Sequence, residues 1–463
     1  MTDLVLAIDL GSSWCKAAYI DPTGRLVATG RAYTRAIQPS RDMMLPAFWQ
    51  ALCDAVREAN AQLPTPARPA AIGISCRAQF GIALDEAGQA FWPMVDCQLH
   101  RDAPELRQAY APDLWGDQDP FAFGYGVRMA AMIAWLRQHH PAEWRQMHRV
   151  GALHNYLVYR LAGVWVTDST SGAEAATWPS AILDLTGLPA SAFPVTLPAH
   201  QVAGGLGAAA ATALGLPPGI PVVVGLHDGA AANLGTRAVQ AGDACFTLGT
   251  NFVFRAVNGP RLLSGCFCYT VAPERWAWVN NVPSASAQFD IVAERLRPDL
   301  PTMAARHGVL GPLADQVAPG AQGLVIKRIL PGGESGLVEQ VETARQAGYG
   351  EGVIYRALAE AIAVGVHDLV QTAMRDGIRP RRFVATGGSV QNRHFLHVLT
   401  AVLNAPIELG APEAGLLGAG MVAAVGSGWF PTVAAAMAQM TTAGPLVHPE
   451  PAAVPFYQEK RVG

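Results

Sequence analysis

Charge is scarce in this chain of 463 residues: 15% are Asp, Glu, Lys or Arg, and the formal net charge is −3. No basic block stands out, which excludes nucleic acid as a main partner. Long apolar runs are missing too. No window offers the ~18 uninterrupted apolar residues of a membrane span, and the Ala-rich stretches near 203–214 and 417–426 are broken by glycines. Cysteine is sparse, seven residues scattered and odd in number, which argues against a disulfide framework. The two-residue spacing in Cys266-Phe-Cys268 would put both thiols on one face of a strand. With no second Cys or His pair close by, they read as small buried apolar residues rather than a metal site. The first nine residues have no basic region before their apolar run and meet Asp9 early, so a strand is expected there and not a secretory signal. These absences predict a cytoplasmic protein without a membrane partner.

Apolar residues are plentiful instead, at 51%, and the length exceeds what one hydrophobic core supports, which predicts two domains. Leu4-Val-Leu-Ala-Ile8, Ala17-Ala-Tyr-Ile20 and Arg25-Leu-Val-Ala-Thr29 read as strands, the last two joined by the turn Asp21-Pro-Thr-Gly24. Residues 71–75, 80–84 and 91–95 read as further short strands. Residues 46–61, 130–137, 154–161 and 352–375 have helical apolar spacing. Residues 244–247, 252–256, 276–280 and 382–386 read as strands, with a helix from Asn392 and a Gly/Ala-rich, closely packing helix at 412–428. The chain starts alike twice, from Leu4 and again from Val222, which predicts a duplicated α/β unit with a cleft between the copies.

Three polar loops follow strands. In Asp9-Leu-Gly-Ser-Ser-Trp-Cys-Lys16, Gly11 lets backbone N–H groups approach an anion, Ser12 and Ser13 donate to phosphate oxygens, and Lys16 neutralises charge. Asp9 suits Mg²⁺, directly or through water. Thr247-Leu-Gly-Thr-Asn251 repeats the theme with Gly249, Thr250 and Asn251. Taken singly, a plain hairpin turn is the more frequent explanation of either loop. Ala385-Thr-Gly-Gly-Ser-Val-Gln-Asn392 runs from a strand end into a helix, a favourable place for a nucleotide at Gly387, Gly388, Ser389 and Asn392. It has neither dinucleotide nor P-loop spacing.

Between the first two loops lies Gly225-Leu-His-Asp228-Gly229, where a buried strand ends and a small-residue helix begins. A carboxylate at a strand end is where an α/β fold places catalytic groups, so Asp228 is a candidate general base. Asp228 as a simple N-cap of the next helix is the competing reading.

As an ordered set these residues resemble the FGGY family of carbohydrate kinases, within the actin-like, ribonuclease-H-like ATPase superfamily. The first loop resembles the family's Asp-x-Gly-Thr/Ser-Ser/Thr-x-x-Lys/Arg phosphate loop, and Gly225-Leu-His-Asp228 its Gly-x-x-Asp catalytic motif. Leu248-Gly-Thr250 resembles the second phosphate loop, and Thr386-Gly-Gly-Ser389 with Gln391 and Asn392 the adenosine motif. Ala134-Trp-Leu136, the stretch from Leu161 to Asp168 and the stretch from Arg356 to Ala363 are also similar to the family. The resemblance implies an α/β fold of two ribonuclease-H-like (actin-like ATPase) domains with a central catalytic cleft. Its domains would be 1–226, with the sugar site and first phosphate loop, and 227–463, binding nucleotide. It also implies ATP and Mg²⁺ as cofactors, with Asp9 and Asp228 on the metal side. Phosphorylation of a sugar or polyol hydroxyl follows, Asp228 taking its proton. A homodimer is the default assembly.

The departures concern the acceptor. Where xylulokinase-like members carry Met-His-Gly, this chain reads Ile74-Ser-Cys-Arg-Ala-Gln-Phe80, with Gln79 at the His position. Where they carry Trp-x-Asp-x-x-Arg, it has Cys97 and Leu99, and only Arg101 is kept. Pro331-Gly-Gly-Glu334 is followed by Ser335 in place of Arg, and Asn281-Val-Pro-Ser284 lies where many members carry Gly-Gly. The substrate candidates are Arg77, Gln79, Arg101, His227 and Asp228. A ketopentose such as xylulose is the leading acceptor, with other ketoses, polyols and sugar acids as alternatives. A weakly active sugar-binding regulator and a filament-forming or chaperone-type ATPase are the readings from other classes.

Overall fold

The first strand, β1 (Val5–Leu10), is apolar at every position but Asp9 and buried on both faces, as a strand inside a sheet must be. A computed structural model describes residues 3–11, 14–34, 44–65, 68–77, 80–90, 95–96, 104–109, 111–115, 125–171, 179–259, 268–329 and 333–459. Its contacts divide into two units. One comprises Met1–Val239, Gly259–Ala277 and Glu413–Thr442, the other Gln240–Asn258, Trp278–Pro412 and Ala443–Gly463. These discontinuous units and the linear division at 226/227 are different partitions, and Asp228 lies in the first unit.

In the first unit β2 (Trp14–Ile20) returns antiparallel to β1 and β3 (Leu26–Tyr33) forms the sheet edge. The expected turn joins them, with the Gly24 N–H donating to the Asp21 carbonyl at 2.9 Å. Helix α1 (Met44–Asn60) places Phe48, Leu52 and Val56 in the core beside Ile8, Tyr19 and Ile72. β4 (Ile72–Cys76) lies parallel to β1 and puts Ser75 beside Asp9. Helix α2 (Leu153–Ala162) covers the sheet and ends at Gly163 in the left-handed region. β5 (Val202–Gly205) pairs with β6 (Pro221–Val223), and β6 and then β7 (Leu226–His227) run parallel to β4. Helix α3 (Asp228–Gly235) follows at once.

The Val222 run therefore completes the first sheet and does not open the second half, as the apparent repeat suggested. Three apolar residues carry no alternation to specify a partner, and the choice was made by long-range pairing with β4.

The second unit opens at β8 (Asp243–Leu248), which forms an antiparallel hairpin with β9 (Phe252–Asn258). Helices α4 (Ala285–Leu296), α5 (Met303–Asp315) and α6 (Glu351–Arg375) precede β10 (Arg382–Thr386), which lies parallel to β8 with Thr386 beside Thr247. Phe246 stacks between Phe254 and Phe383, with ring centroids 5.1 and 5.7 Å away. Helix α7 (Arg393–Leu403) leads to β11 (Ile407–Leu409), parallel to β10. The hairpin with a parallel strand beside its first member thus occurs once in each unit, as β1–β2 with β4 and as β8–β9 with β10.

The chain then rejoins the first unit through α8 (Ala414–Gly426), the expected close-packing helix. A Cβ on Gly418 would lie 2.1 Å from the Ala231 carbonyl of α3, so the two backbones touch. β12 (Leu446–Val447) pairs antiparallel with β11. Among the described residues no helix is long and apolar enough to cross a membrane. Positions 91–94 and Cys266 lie outside the described residues; Cys268 is buried and in no disulfide.

Candidate active site

The first unit gathers its polar residues at the ends of β1, β4 and β7, which run parallel, so their C-terminal ends emerge together. Asp9 sits near the end of β1. Its Oδ1 accepts from the Ser75 hydroxyl at 2.7 Å, a bond that the β1–β4 register dictates. Burial pushes the Asp9 carboxyl up from 3.8 to about 6; the Ser75 bond opposes this, and the charge of Asp228 adds to it. The first turn of α8 presses on the same carboxyl, since a Cβ on Gly415 would meet Asp9 Oδ2 at 2.7 Å.

Lys16 stands opposite Asp9 on β2, but its Nζ lies 2.6 Å from Glu413 Oε2, at the N-cap of α8. The cation expected to neutralise phosphate is thus held by a carboxylate 397 positions away. Gly11 closes the β1–β2 turn by donating to the Trp14 carbonyl at 3.0 Å. Ser12 and Ser13 lie outside the described residues, as do Gln79 and Arg101. Arg77 follows the last residue of β4, whose neighbour across the sheet is His227.

Gly225 turns the chain between β6 and β7 at φ +79°, in the left-handed region. A Cβ there would lie 2.4 Å from the Ile74 carbonyl and 3.0 Å from His154 Nε2. His154 is fully buried, bonds the Val224 carbonyl through Nε2 at 2.7 Å, and is pushed down to about 4 by burial. His227 ends β7 and Asp228 begins α3. The helix is capped by His227, whose Nδ1 accepts from the Gly229 N–H at 3.2 Å. Asp228 is the first helical residue and not the N-cap, which corrects the capping reading. Its Oδ1 lies 2.9 Å from His227 Nε2, with the Asp228 side chain 36% and the His227 side chain 5% exposed.

A second tier holds this pair. The His227 N–H donates to Thr170 Oγ1 at 2.8 Å, and the Thr170 N–H donates to Asp168 Oδ2 at 2.9 Å. The Tyr269 ring packs edge-on against His227 at 4.7 Å. Sequence reasoning singled out the stretch ending at Asp168 without assigning it a role; Ser75, Glu413 and Tyr269 carried no signal, because register and long-range packing bring them in.

Asp9 and Asp228 are close enough for the charge of one to raise the other. Among the described residues there is no group of three or more His, Cys, Asp or Glu that forms a metal cage. Mg²⁺ needs no such cage: it takes one or two carboxylates and keeps water and phosphate oxygens. Two mutually repelling carboxylates fit that demand.

In the second unit the other two loops meet. β8 and β10 end side by side, and a Cβ on Gly387 would lie 2.8 Å from the Leu248 carbonyl. Gly387 takes φ +97°, which only glycine adopts freely. Thr247 Oγ1 accepts from Arg255 at 2.6 Å, and Asn251 Oδ1 accepts from the Ser284 N–H at 2.9 Å. The Thr250 carbonyl accepts from the Ser286 N–H at 3.3 Å. Gly249 stays open, with nothing but the Asn251 carbonyl (3.9 Å) within 4 Å of an added Cβ, and Gly388 has nothing. Ser389 lies in the short 3₁₀ turn that follows. Asn392 is the N-cap of α7: its Oδ1 accepts from the Phe395 N–H at 3.1 Å. Its Nδ2 donates to the Tyr355 hydroxyl at 2.9 Å, which is 2.9 Å from His307 Nδ1; His307 Nε2 is 3.0 Å from Asp290 Oδ1.

Residues 4–235 match the N-terminal domain of the FGGY family of carbohydrate kinases, and residues 276–427 match its C-terminal domain. The chain is 24% identical to an autoinducer-2 kinase of Klebsiella pneumoniae, over 98% of this chain and 92% of that one. The solved xylulose kinase of Rhodospirillum rubrum is similar with a TM-score of 0.78 at 23% identity, covering 98% of this chain and 96% of its own. The gluconate kinase of Lactobacillus acidophilus is similar with a TM-score of 0.79 at 16% identity, covering 99% and 96%. These likenesses establish the fold, two ribonuclease-H-like units.

Proposed function

This chain belongs to the FGGY family of carbohydrate kinases, and from that premise we propose that it phosphorylates a hydroxyl of a small ketose with Asp228 as general base. Membership makes it an ATP-dependent sugar kinase; the acceptor and the residue roles are our reading. The observation that carries it is the placement of Asp228. A half-exposed carboxylate at the end of a buried strand is held by His227 and lies within electrostatic reach of buried Asp9.

In this mechanism the acceptor oxygen attacks the γ-phosphorus of ATP while its proton passes to Asp228. The bond to the β–γ bridging oxygen breaks and ADP leaves. Proton removal by a positioned carboxylate contributes roughly 10²–10⁴-fold. Gly11, Ser12 and Ser13 serve the phosphates in the first unit; Gly249, Thr250 and Asn251 serve them in the second. Gly387, Gly388, Ser389 and Asn392 serve the adenosine. Lys16 serves the phosphates as well, one of its three N–H donors being held by Glu413. Asp9 and Asp228 would hold Mg²⁺, which supplies charge neutralisation on the phosphates when bound. Arg77, Gln79 and Arg101 serve the acceptor.

Xylulose is the first acceptor on this reading. The likeness to an autoinducer-2 kinase over nearly the whole chain favours autoinducer-2 as a second. The loss of the carboxylate at Leu99 supports an acceptor with fewer polar groups to satisfy there. Cys15, Cys53, Cys76, Cys245 and Cys268 are buried and in no disulfide, in keeping with a cytoplasmic, reducing setting, and we carry a homodimer as the working assembly.

The test is ADP release over a panel of ketoses, polyols, sugar acids and autoinducer-2. Stimulation by at least one of them is expected, and stimulation by none would sink the reading. With the best acceptor, Asp228→Asn lowers kcat by about 10²–10⁴-fold and leaves ATP affinity near wild type. Turnover surviving within about tenfold would assign the base elsewhere.

A further inference from the structure

We infer that His227 is a positioning residue for Asp228, acting through a fixed tautomer of its ring rather than by touching the acceptor. This rests on the reading of Asp228 as base and adds a role that the reading does not contain.

A backbone N–H only donates, so the Gly229 N–H at 3.2 Å makes His227 Nδ1 an acceptor. In the neutral ring the proton is then on Nε2, which lies 2.9 Å from Asp228 Oδ1. Nε2–H donates to the carboxylate and sets its rotation about the Cβ–Cγ bond. The start of α3, through one N–H, thus decides how the carboxylate at its first residue is held. The ring has little freedom to do otherwise. His227 is 4% exposed, its own N–H is tied to Thr170 Oγ1 at 2.8 Å, and Tyr269 covers one side at 4.7 Å. Both ring nitrogens already have partners, which leaves the ring poorly placed to bind an acceptor hydroxyl.

The two bonds separate by substitution, because the two amides each reproduce one nitrogen. Asn places Oδ1 at the Nδ1 position, so His227→Asn keeps the acceptor for Gly229 and loses the donor to Asp228. Gln places Nε2 at the Nε2 position, so His227→Gln keeps the donor and loses the cap. If positioning is the role, His227→Asn lowers kcat about 10²-fold, the scale of a misplaced reacting group. Its KM for ATP stays within about threefold and its unfolding midpoint stays near wild type. His227→Gln recovers at least about tenfold of the lost kcat although its midpoint falls, as for a missing helix cap. A merely structural role would order the two variants the other way, activity tracking stability, and that result would overturn the proposal. So would His227→Asn retaining kcat within about threefold.

A readout free of turnover accompanies these. Imidazole ¹⁵N–¹H spectra of the wild-type protein are expected to put the His227 proton on Nε2, with a resonance that shifts in Asp228→Asn; a proton on Nδ1 would overturn the tautomer. Asp228→Asn with turnover intact would instead count against the base itself while the spectrum still judged the His227–Asp228 bond, so the two failures are distinguishable.

Discussion

Asp9→Asn tests the electrostatics of the first unit most directly. An acid whose value is higher in the folded chain binds its proton more tightly there. Asp9 therefore favours the folded state fully below its unfolded value of 3.8, and that contribution is lost as pH rises through about 6. The interval between 3.8 and about 6 amounts to about 3 kcal/mol for the metal-free protein near neutral pH. Asn keeps an acceptor for the Ser75 hydroxyl and carries no charge. Asp9→Asn is thus expected to stabilise the apoprotein by about 1–3 kcal/mol near pH 7.5, the gain shrinking toward zero near pH 4. His154 has the opposite slope. Burial lowers it to about 4 from 6.5, so its stabilisation is present above 6.5 and is lost as pH falls through about 4. That slope is common to both chains, so the difference between them isolates Asp9. The assay is urea unfolding of wild type and variant, without nucleotide or metal, across this pH range. A variant less stable than wild type near neutral pH, or a difference that does not change with pH, would refute the reasoning. The same variant is expected to lose Mg²⁺-dependent turnover, since the charge that costs stability is the charge a cation needs.

Gly225→Ala places a side chain at φ +79° with its Cβ 2.4 Å from the Ile74 carbonyl; a loss of about 2–3 kcal/mol in urea unfolding is expected, and a neutral result would mean that β6 and β7 are not held as described. Tyr355→Phe removes the hydroxyl between Asn392 and His307. It is expected to cost about 1–3 kcal/mol and to raise the KM for ATP with kcat nearly unchanged, because Asn392 ends the proposed adenosine loop; a change in kcat alone would place the relay elsewhere in function.

Much of this was legible in the residues. Hairpin, turn and helix positions followed from apolar spacing, from Pro and Gly, and from the small-residue run at 412–428, because those signals act over a few residues. The three loops and Asp228 were legible as a set, since their order along the chain carries more information than any one of them.

Tertiary structure alone decided the rest. It put the Val222 run into the first sheet and returned α8 to the first unit. It also gave Lys16 to Glu413 and the cap of α3 to His227 instead of Asp228. Spacing in sequence names the residue types that phosphoryl transfer requires. It cannot say which side chain occupies which lone pair, because that depends on register and on partners up to hundreds of positions away. The carboxylate at 228 and the histidine before it were visible from the start; that the ring orients the carboxylate became visible only when its two nitrogens were given their partners.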